Sequence, residues 1–320
     1  EALLEPRRNL REWLALRELT ILPGSTLSLG NSQRFERSDS LNPYHSLIEK
    51  NYGTDIVTTS VHINVGIEDL KHLFSALRLV RCEAALFLAL SASSPFLDSS
   101  PTGVHSQRWI QFPRTPSNVP LFKNHDQYVN WIESHLSSGK MWNERHFWSS
   151  VRPNGPRRPY ELNRLELRIC DSIMNCDQLV AVTALLELRI LSLINSPDQL
   201  DPLKASKLNS NELMHLSDLN DISAAQASLN ASLNHWKDGT EITCKKWIEQ
   251  LLDNVSPLAR DLDIAHLLLP IYSLLDEGNQ SMQWLQAYSN GSSIDELIQE
   301  GIAEIAAEEI VLTSGQVDLG

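Results

Sequence analysis

Two stretches of this chain carry reactive side chains at every second residue. Asp55 to Gly66 reads DIVTTSVHINVG, and Arg164 to Asp171 reads RLELRICD. In the first, Val57, Thr59, Val61, Ile63 and Val65 alternate with Thr58, Ser60, His62 and Asn64. That period of two, with β-branched residues, predicts a strand with one mostly apolar face and one polar face. In the second, Leu165, Leu167 and Ile169 face one way, and Arg164, Glu166, Arg168 and Cys170 the other. For either strand alone, an ordinary solvated sheet face is the better reading of the pattern. If both lie in one sheet, His62, Asn64, Glu166 and Arg168 line one surface, which would floor a cleft. A carboxylate and an imidazole there can bind a divalent metal. An arginine beside them can hold a phosphate or carboxylate through two N–H groups.

Arginines form a second constellation. Arg108, Arg114, Arg152, Arg157, Arg158, Arg164 and Arg168 fall in the contexts QRW, FPRTP, VRPNGPRRP and NRLELR. Transfer of a phosphoryl group to a carboxylate needs such cations, because both groups bring negative charge to the site. From His105 to Arg168 there are ten Lys/Arg against five Asp/Glu, whereas beyond Trp247 the only basic residue is Arg260. A basic segment in a chain of net charge −13 marks a local site for anions. The overall charge argues against nucleic acid and anionic membranes as partners.

Other chemistries lack their motifs. The sequence has no G-x-x-x-x-G-K-[ST], no G-x-G-x-x-G at a strand–helix junction, no G-x-S-x-G and no H-E-x-x-H. Its four cysteines, Cys82, Cys170, Cys176 and Cys244, form no C-x-x-C pair and no zinc-like cluster. They read as reduced, mostly buried thiols.

The elements that must position these residues follow from periodicity. Ala2 to Leu19 predicts a helix whose broad apolar side is Leu3, Leu10, Trp13, Leu14 and Leu16. A loop follows from Pro23 to Pro43. Asp69 to Ala92 predicts a helix with the stripe Leu70, Leu73, Phe74, Leu77, Val80, Ala84 and Phe87, stopped by Pro95. His105 to Pro159 is irregular, basic and tryptophan-rich, with a short helix at about Asp126–Ser137. A strong helix over Asp177–Ile194, capped by Asp177, succeeds the second strand. The remainder to about Val311 reads as helix, with breaks near Pro197, Pro202, Gly239, Gly278 and Gly291. Strands in the first half and helices in the second give an α+β class. With 320 residues, 42% hydrophobic and 21% charged, the chain can bury a large core. No apolar run is long enough for a membrane span, and no basic-then-apolar leader opens the sequence.

Five stretches in order, TTSVHINVG (58–66), LALSASSPFLDSSPTG (88–103), HSQRWIQFPRTP (105–116), FWSSVRPNG (147–155) and NRLELRICD (163–171), resemble the glutamate–cysteine ligase family of cyanobacteria and some proteobacteria. That family belongs to the carboxylate–amine ligases related to glutamine synthetase, and the resemblance covers about Asn31 to Ile194. It implies a glutamine-synthetase-like ligase fold: a mostly antiparallel sheet flooring a cleft, with helices packed on its other face. It implies one catalytic domain over 1–320, with a helix and loop at 1–30, the sheet and site loops at 31–195 and a helical region at 196–320. It implies a cytoplasmic enzyme that uses ATP to phosphorylate the γ-carboxylate of glutamate, then joins it to the amine of cysteine, the first step of glutathione synthesis. Mg²⁺ or Mn²⁺ is implied as cofactor, with Glu166 and His62 as metal ligands. By the same carry-over, Arg168, Arg114 and Arg152 would be catalytic, and Asn64, Arg108 and Asn154 would bind substrate or ATP. Two alternatives stand beside it: a related ligase with another amine, or an inactive paralogue acting as a binding subunit.

The sequence departs from the family in one respect. Members begin with a strand carrying paired glutamates, further metal ligands, whereas Glu1, Glu5, Glu12 and Glu18 lie on a helix-like segment. The resemblance therefore predicts a chain starting after that strand, with an incomplete metal site, doubtful activity alone, and a sheet edge open to pairing with another chain.

Overall fold

The structure is a computed structural model that describes residues 3–34, 39, 41–43, 46, 50, 57–111, 116 and 118–314, with side chains as far as 310. Its first helix, α1 (Leu4–Ala15), is shorter than expected. The predicted apolar side does not enter a core: Leu10, Trp13 and Leu16 are exposed, and only Leu4 is buried. Ion pairs hold the helix instead. Arg7 and Arg11 reach Glu308 and Glu309 at 2.6–3.0 Å on the last helix.

The sheet is built from β1 (Ile63–Gly66), β4 (Val151–Asn154) and β5 (Arg164–Leu167), all antiparallel, in the order β1-β5-β4. The two strands read from sequence are thus neighbours, paired Asn64↔Glu166 and Ile63↔Leu167. Both are shorter than their alternation implied. Asp55 and Ile56 lie outside the described residues. Residues 57–62 leave the ladder because a loop competes for their hydrogen bonds. Thr58 bridges Thr26, and the Thr59 N–H donates to the Ser25 carbonyl (3.0 Å). At the other end, the Arg168 and Ile169 N–H groups both donate to the Ser150 carbonyl (2.8 and 3.1 Å). Two residues opposing one is a bulge, which breaks the alternation. Cys170, expected on the polar face, is therefore buried, with its thiol toward the Phe87 carbonyl.

Behind the sheet runs α2 (Leu70–Ser91), capped by Asp69, whose carboxylate accepts from the His72 N–H (2.7 Å). The predicted stripe covers one side, yet nearly the whole helix is buried. Its charged residues are neutralised in place. Arg78 pairs with Asp201 (2.5 Å), Arg81 with Asp221 (2.5 Å) and Asp218, and Glu83 with Arg189 (2.6 Å) and the Trp236 indole (2.9 Å). Buried charges persist only when paired in this way. The helix ends at Ser91, four residues before Pro95, because Ser93 and Ser94 turn to bind Asp171 (3.0 and 2.6 Å).

Between α2 and β4 lie a short hairpin, β2 (Phe96–Leu97) with β3 (Ser100–Pro101), and α3 (Gln107–Gln111) and α4 (His125–Ser137). The tryptophan-rich segment packs there. Phe122, Tyr128, Trp131 and Phe147 form an edge-to-face cluster at 5.2–6.3 Å that fastens α4 to the start of β4. After β5 comes α5 (Cys176–Asn195), whose cap is Asn175, accepting from the Gln178 N–H (2.8 Å), and not Asp177. The short α6 (Pro197–Leu200) and α7 (Pro202–Ala205) each start on a predicted proline. Next, α8 (Ser210–Ala227) packs along α2. The predicted all-helical remainder is interrupted by a hairpin, β6 (Ser232–Asn234) with β7 (Glu241–Thr243). Its turn contains Gly239 at φ 77°, a residue the helical reading took for a simple break. Helices α9 (Cys244–Asp261), α10 (Leu269–Glu277), α11 (Gln280–Ser289) and α12 (Ile294–Ser314) complete the fold. Among the described residues, no helix is long and apolar enough to cross a membrane.

Candidate active site

Glu166 lies on the central strand, directly between Asn64 of β1 and Arg152 of β4. Opposed residues on neighbouring strands share a face, so the carboxylate is flanked by an amide and a guanidinium. Arg152 Nε donates to Glu166 Oε2 (2.7 Å), and Asn154 Nδ2 reaches the same oxygen (3.2 Å). Arg168 Nη1 donates to Oε1 (2.8 Å). His62 Nδ1 lies 3.2 Å from Oε1, while its Nε2 meets the Ser60 hydroxyl (3.2 Å). Four side chains from three strands and their flanks thus converge on one carboxylate that is 5% exposed. Burial pushes the Glu166 carboxyl up; hydrogen bonds from His62 and Arg152, with the charges of Arg152 and Arg168, more than reverse this and hold it well below the usual carboxylate range.

The arginines are not fully balanced. Burial, then the charge of Arg152, lower Arg168 to about 10, against the pull of Glu166. Among the described residues, its Nε is enclosed without a partner. Two guanidiniums share a single carboxylate, so the face retains positive charge and unused donors. Such a surface attracts oxyanions.

Each cation is held by the fold. Arg152 is anchored through Nη1 to the Phe147 carbonyl (2.9 Å), at the edge of the aromatic cluster. Arg168 leaves β5 at the bulge, whose acceptor is the Ser150 carbonyl. The Ser150 hydroxyl in turn accepts from Arg81 Nη1 (2.7 Å) on α2. The loop from β4 to β5 begins at Gly155, where a Cβ would collide with the Glu161 carbonyl, so only glycine lets the two strands close here.

The structure therefore brings together six of the residues singled out in the sequence: His62, Asn64, Arg152, Asn154, Glu166 and Arg168. Asn64 is exposed beside Glu166. Arg114 lies outside the described residues. Arg108, expected to meet substrate or ATP, is 1% exposed behind the sheet. Its Nη1 and Nη2 donate to the Ile169 and Arg168 carbonyls (both 2.9 Å), and it faces Asp171 at 3.5 Å. Its place is to hold the backbone that carries Arg168. Asp171 was not singled out by the sequence, yet it gathers the Ser93 N–H, the Ser94 hydroxyl and the Ser106 hydroxyl (2.6–3.0 Å). The motifs SASSP, HSQRW and RICD are one buried assembly. Serines recurring around a short Asp-containing strand end were its only signal in the sequence.

For a divalent cation, the described residues offer two adjacent donors. His62 Nδ1 and Glu166 Oε1, 3.2 Å apart, stand at the separation of neighbouring ligands around one small ion. No group of three or more His, Cys, Asp or Glu is so placed among the described residues. The pair would supply two donors of a larger coordination shell, and Oε1 is the oxygen that also accepts from Arg168 (2.8 Å).

The site is thus a set of guanidiniums around one carboxylate on one face of an antiparallel sheet, within an α+β framework. The chain is a member of glutamate–cysteine ligase family 2, whose sequence profile matches residues 1–308. It is 26% identical over 248 residues to a Solibacter usitatus protein named "Putative glutamate–cysteine ligase 2", covering 76% of this chain and 61% of that protein. A protein of the same name from Gloeobacter violaceus is 25% identical over 270 residues, covering 82% of this chain and 69% of the relative. The chain thus spans about three-fifths to two-thirds of the length of these relatives. Among solved structures, it shares the fold of the Francisella tularensis glutamate–cysteine ligase crystallised with AMP, at a TM-score of 0.62 and 13% identity over 84% of this chain and 70% of that one.

Proposed function

We propose that this chain carries the acyl-activating site of an ATP-dependent carboxylate–amine ligase, and that its product is γ-glutamylcysteine. The observation that carries the reading is the convergence of Arg152, Arg168, His62 and Asn154 on Glu166, with positive charge left over, in a chain of this family. The chemistry has two steps. The γ-carboxylate oxygen of glutamate attacks the γ-phosphorus of ATP, and the bond to ADP breaks. The amine of cysteine then attacks the acyl carbon, phosphate leaves, and the nitrogen gives up a proton.

Arg168 and Arg152 would offset the charge of the phosphoryl group in transfer, which is worth most in a partly desolvated site. Glu166 preorganises both guanidiniums, and His62 with Glu166 would hold Mg²⁺ or Mn²⁺, which would supply further neutralisation of phosphate oxygens. Asn64 and Asn154 would line the substrate beside them, and Arg114 would add a further cation. Arg108 acts through the backbone of Arg168. The reading implies a cytoplasmic enzyme of glutathione biosynthesis whose partners are glutamate, cysteine and ATP.

The test is phosphate release from ATP with glutamate and Mg²⁺, across a panel of amines, with the product weighed by mass spectrometry. Release that needs both glutamate and cysteine, with γ-glutamylcysteine as product, is expected. Equal release with other amines would keep the ligase and remove cysteine. Binding of ATP and glutamate without release would point to a binding subunit.

A further inference from the structure

One cation near this site has no partner among the described residues. Arg158 lies half-buried on the loop between β4 and β5. Among the described residues, its guanidinium makes no hydrogen bond and no ion pair, and its Nη1 is shut off from water without a partner. Burial, then the like charge of Arg152, push its pKa down, and the opposing influences of Tyr128, Glu166 and Glu144 do not reverse this. A guanidinium that loses water and gains no acceptor costs stability. The neighbouring arginines show the contrast. Arg152 and Arg168 end on Glu166, Arg108 on backbone carbonyls, and Arg157, one residue earlier and exposed, on Glu161.

An uncompensated charge kept beside Arg152 is stabilised once an anion arrives, and it enlarges the positive face at the β4–β5 end. We propose that Arg158 binds an oxyanion of the substrate, a carboxylate or phosphoryl oxygen, at the rim of the Glu166 cluster. This rests on the ligase reading of that cluster and names a contact beyond it. A guanidinium carries paired N–H donors, the geometry that carboxylates and phosphates accept.

Calorimetry on the whole chain with Mg²⁺ separates the sources, using glutamate and the β,γ-imido analogue of ATP as probes on wild type, Arg158→Gln, Arg158→Lys and Arg157→Gln. Arg158→Gln should weaken one probe by about tenfold to a hundredfold and leave the other within about twofold, the loss of one charge-assisted contact. Loss for glutamate assigns a carboxylate, and loss for the nucleotide a phosphoryl oxygen. Arg158→Lys should recover part of the affinity, and Arg157→Gln should match wild type. Without ligand, Arg158→Gln should melt at or above the wild-type temperature, because no contact is lost and a repulsion is relieved. Unchanged affinity for both probes, or a ligand-free melting point lowered by several degrees, would overturn the proposal while leaving the ligase reading intact. Wild type that binds neither probe would overturn the ligase reading and the proposal with it.

Discussion

Behind β5, Asp171 accepts from Ser93, Ser94 and Ser106 and faces Arg108, whose fork grips the Arg168 and Ile169 carbonyls. In front of β5, Glu166 accepts from Arg152, Arg168 and Asn154 beside His62. Both are single carboxylates, five residues apart, Asp171 facing one arginine and Glu166 two. The rear cluster closes on itself: Asp171 is 0% exposed, and its partners are an N–H, two hydroxyls and the Arg108 guanidinium. The front cluster stays open: two guanidiniums share one carboxylate, and among the described residues Arg168 Nε and Arg158 Nη1 have no partner. Under the proposed function, the difference separates scaffold from site. A polar network that satisfies every arm fixes the backbone, whereas one left with surplus charge is set up for a ligand.

That contrast can be broken by substitution. Asp171→Asn should have the largest effect, about 3–5 kcal/mol in denaturant unfolding, because it strands Arg108 and uncouples three loops. If it costs under 1 kcal/mol, the rear cluster is not the scaffold. Glu166→Gln should cost less stability, about 2–3 kcal/mol, but should abolish ligase turnover by removing the group that aims both arginines. A variant with wild-type turnover would erase the distinction between the clusters. Ser150→Ala should cost about 1 kcal/mol through the lost Arg81 hydrogen bond. Kinetics would show whether that bond also steadies the bulge beneath Arg168, through a fall in kcat with KM little changed.

The smallest effect concerns pH. His105 lies beside the rear cluster, bonded through Nδ1 to the Ser228 hydroxyl (2.6 Å), and burial lowers its pKa from 6.5. As pH falls below that value, the unfolded chain takes up the proton first, so the folded state loses stability until the pH passes the lowered folded value. His105→Gln should flatten that part of the melting-temperature profile relative to wild type.

Much of this arrangement was legible in the sequence, for reasons that the particular residues make plain. Alternation in VHINVG and RLELR reported a two-faced sheet because its rear face is packed on α2 and its front face is not. The pairing of the two strands needed the structure, since periodicity carries no register. The alternation also misled at Cys170, because a bulge is set by the shared Ser150 acceptor and leaves no residue signature. α2 was read as a striped helix although charged residues are buried on it, and their partners, Asp201, Asp221 and Arg189, come from more than 100 residues away. In α1, apolar spacing suggested packing where Arg7 and Arg11 provide the attachment. Arg108 and Arg152 look alike in sequence, both beside Trp, Pro or Val in a basic stretch, and both are buried; their partners distinguish them, main-chain carbonyls for Arg108 and the Glu166 carboxylate for Arg152.

The most direct test of that assignment is glutamate-dependent phosphate release from ATP by Arg168→Gln alongside wild type, with melting temperatures measured on the same samples. The account predicts a rate at least about a hundredfold lower with a melting temperature within a few degrees of wild type, because Arg168 serves a ligand more than the fold. A variant that keeps the wild-type rate would contradict the placing of the active site on the open face of β5.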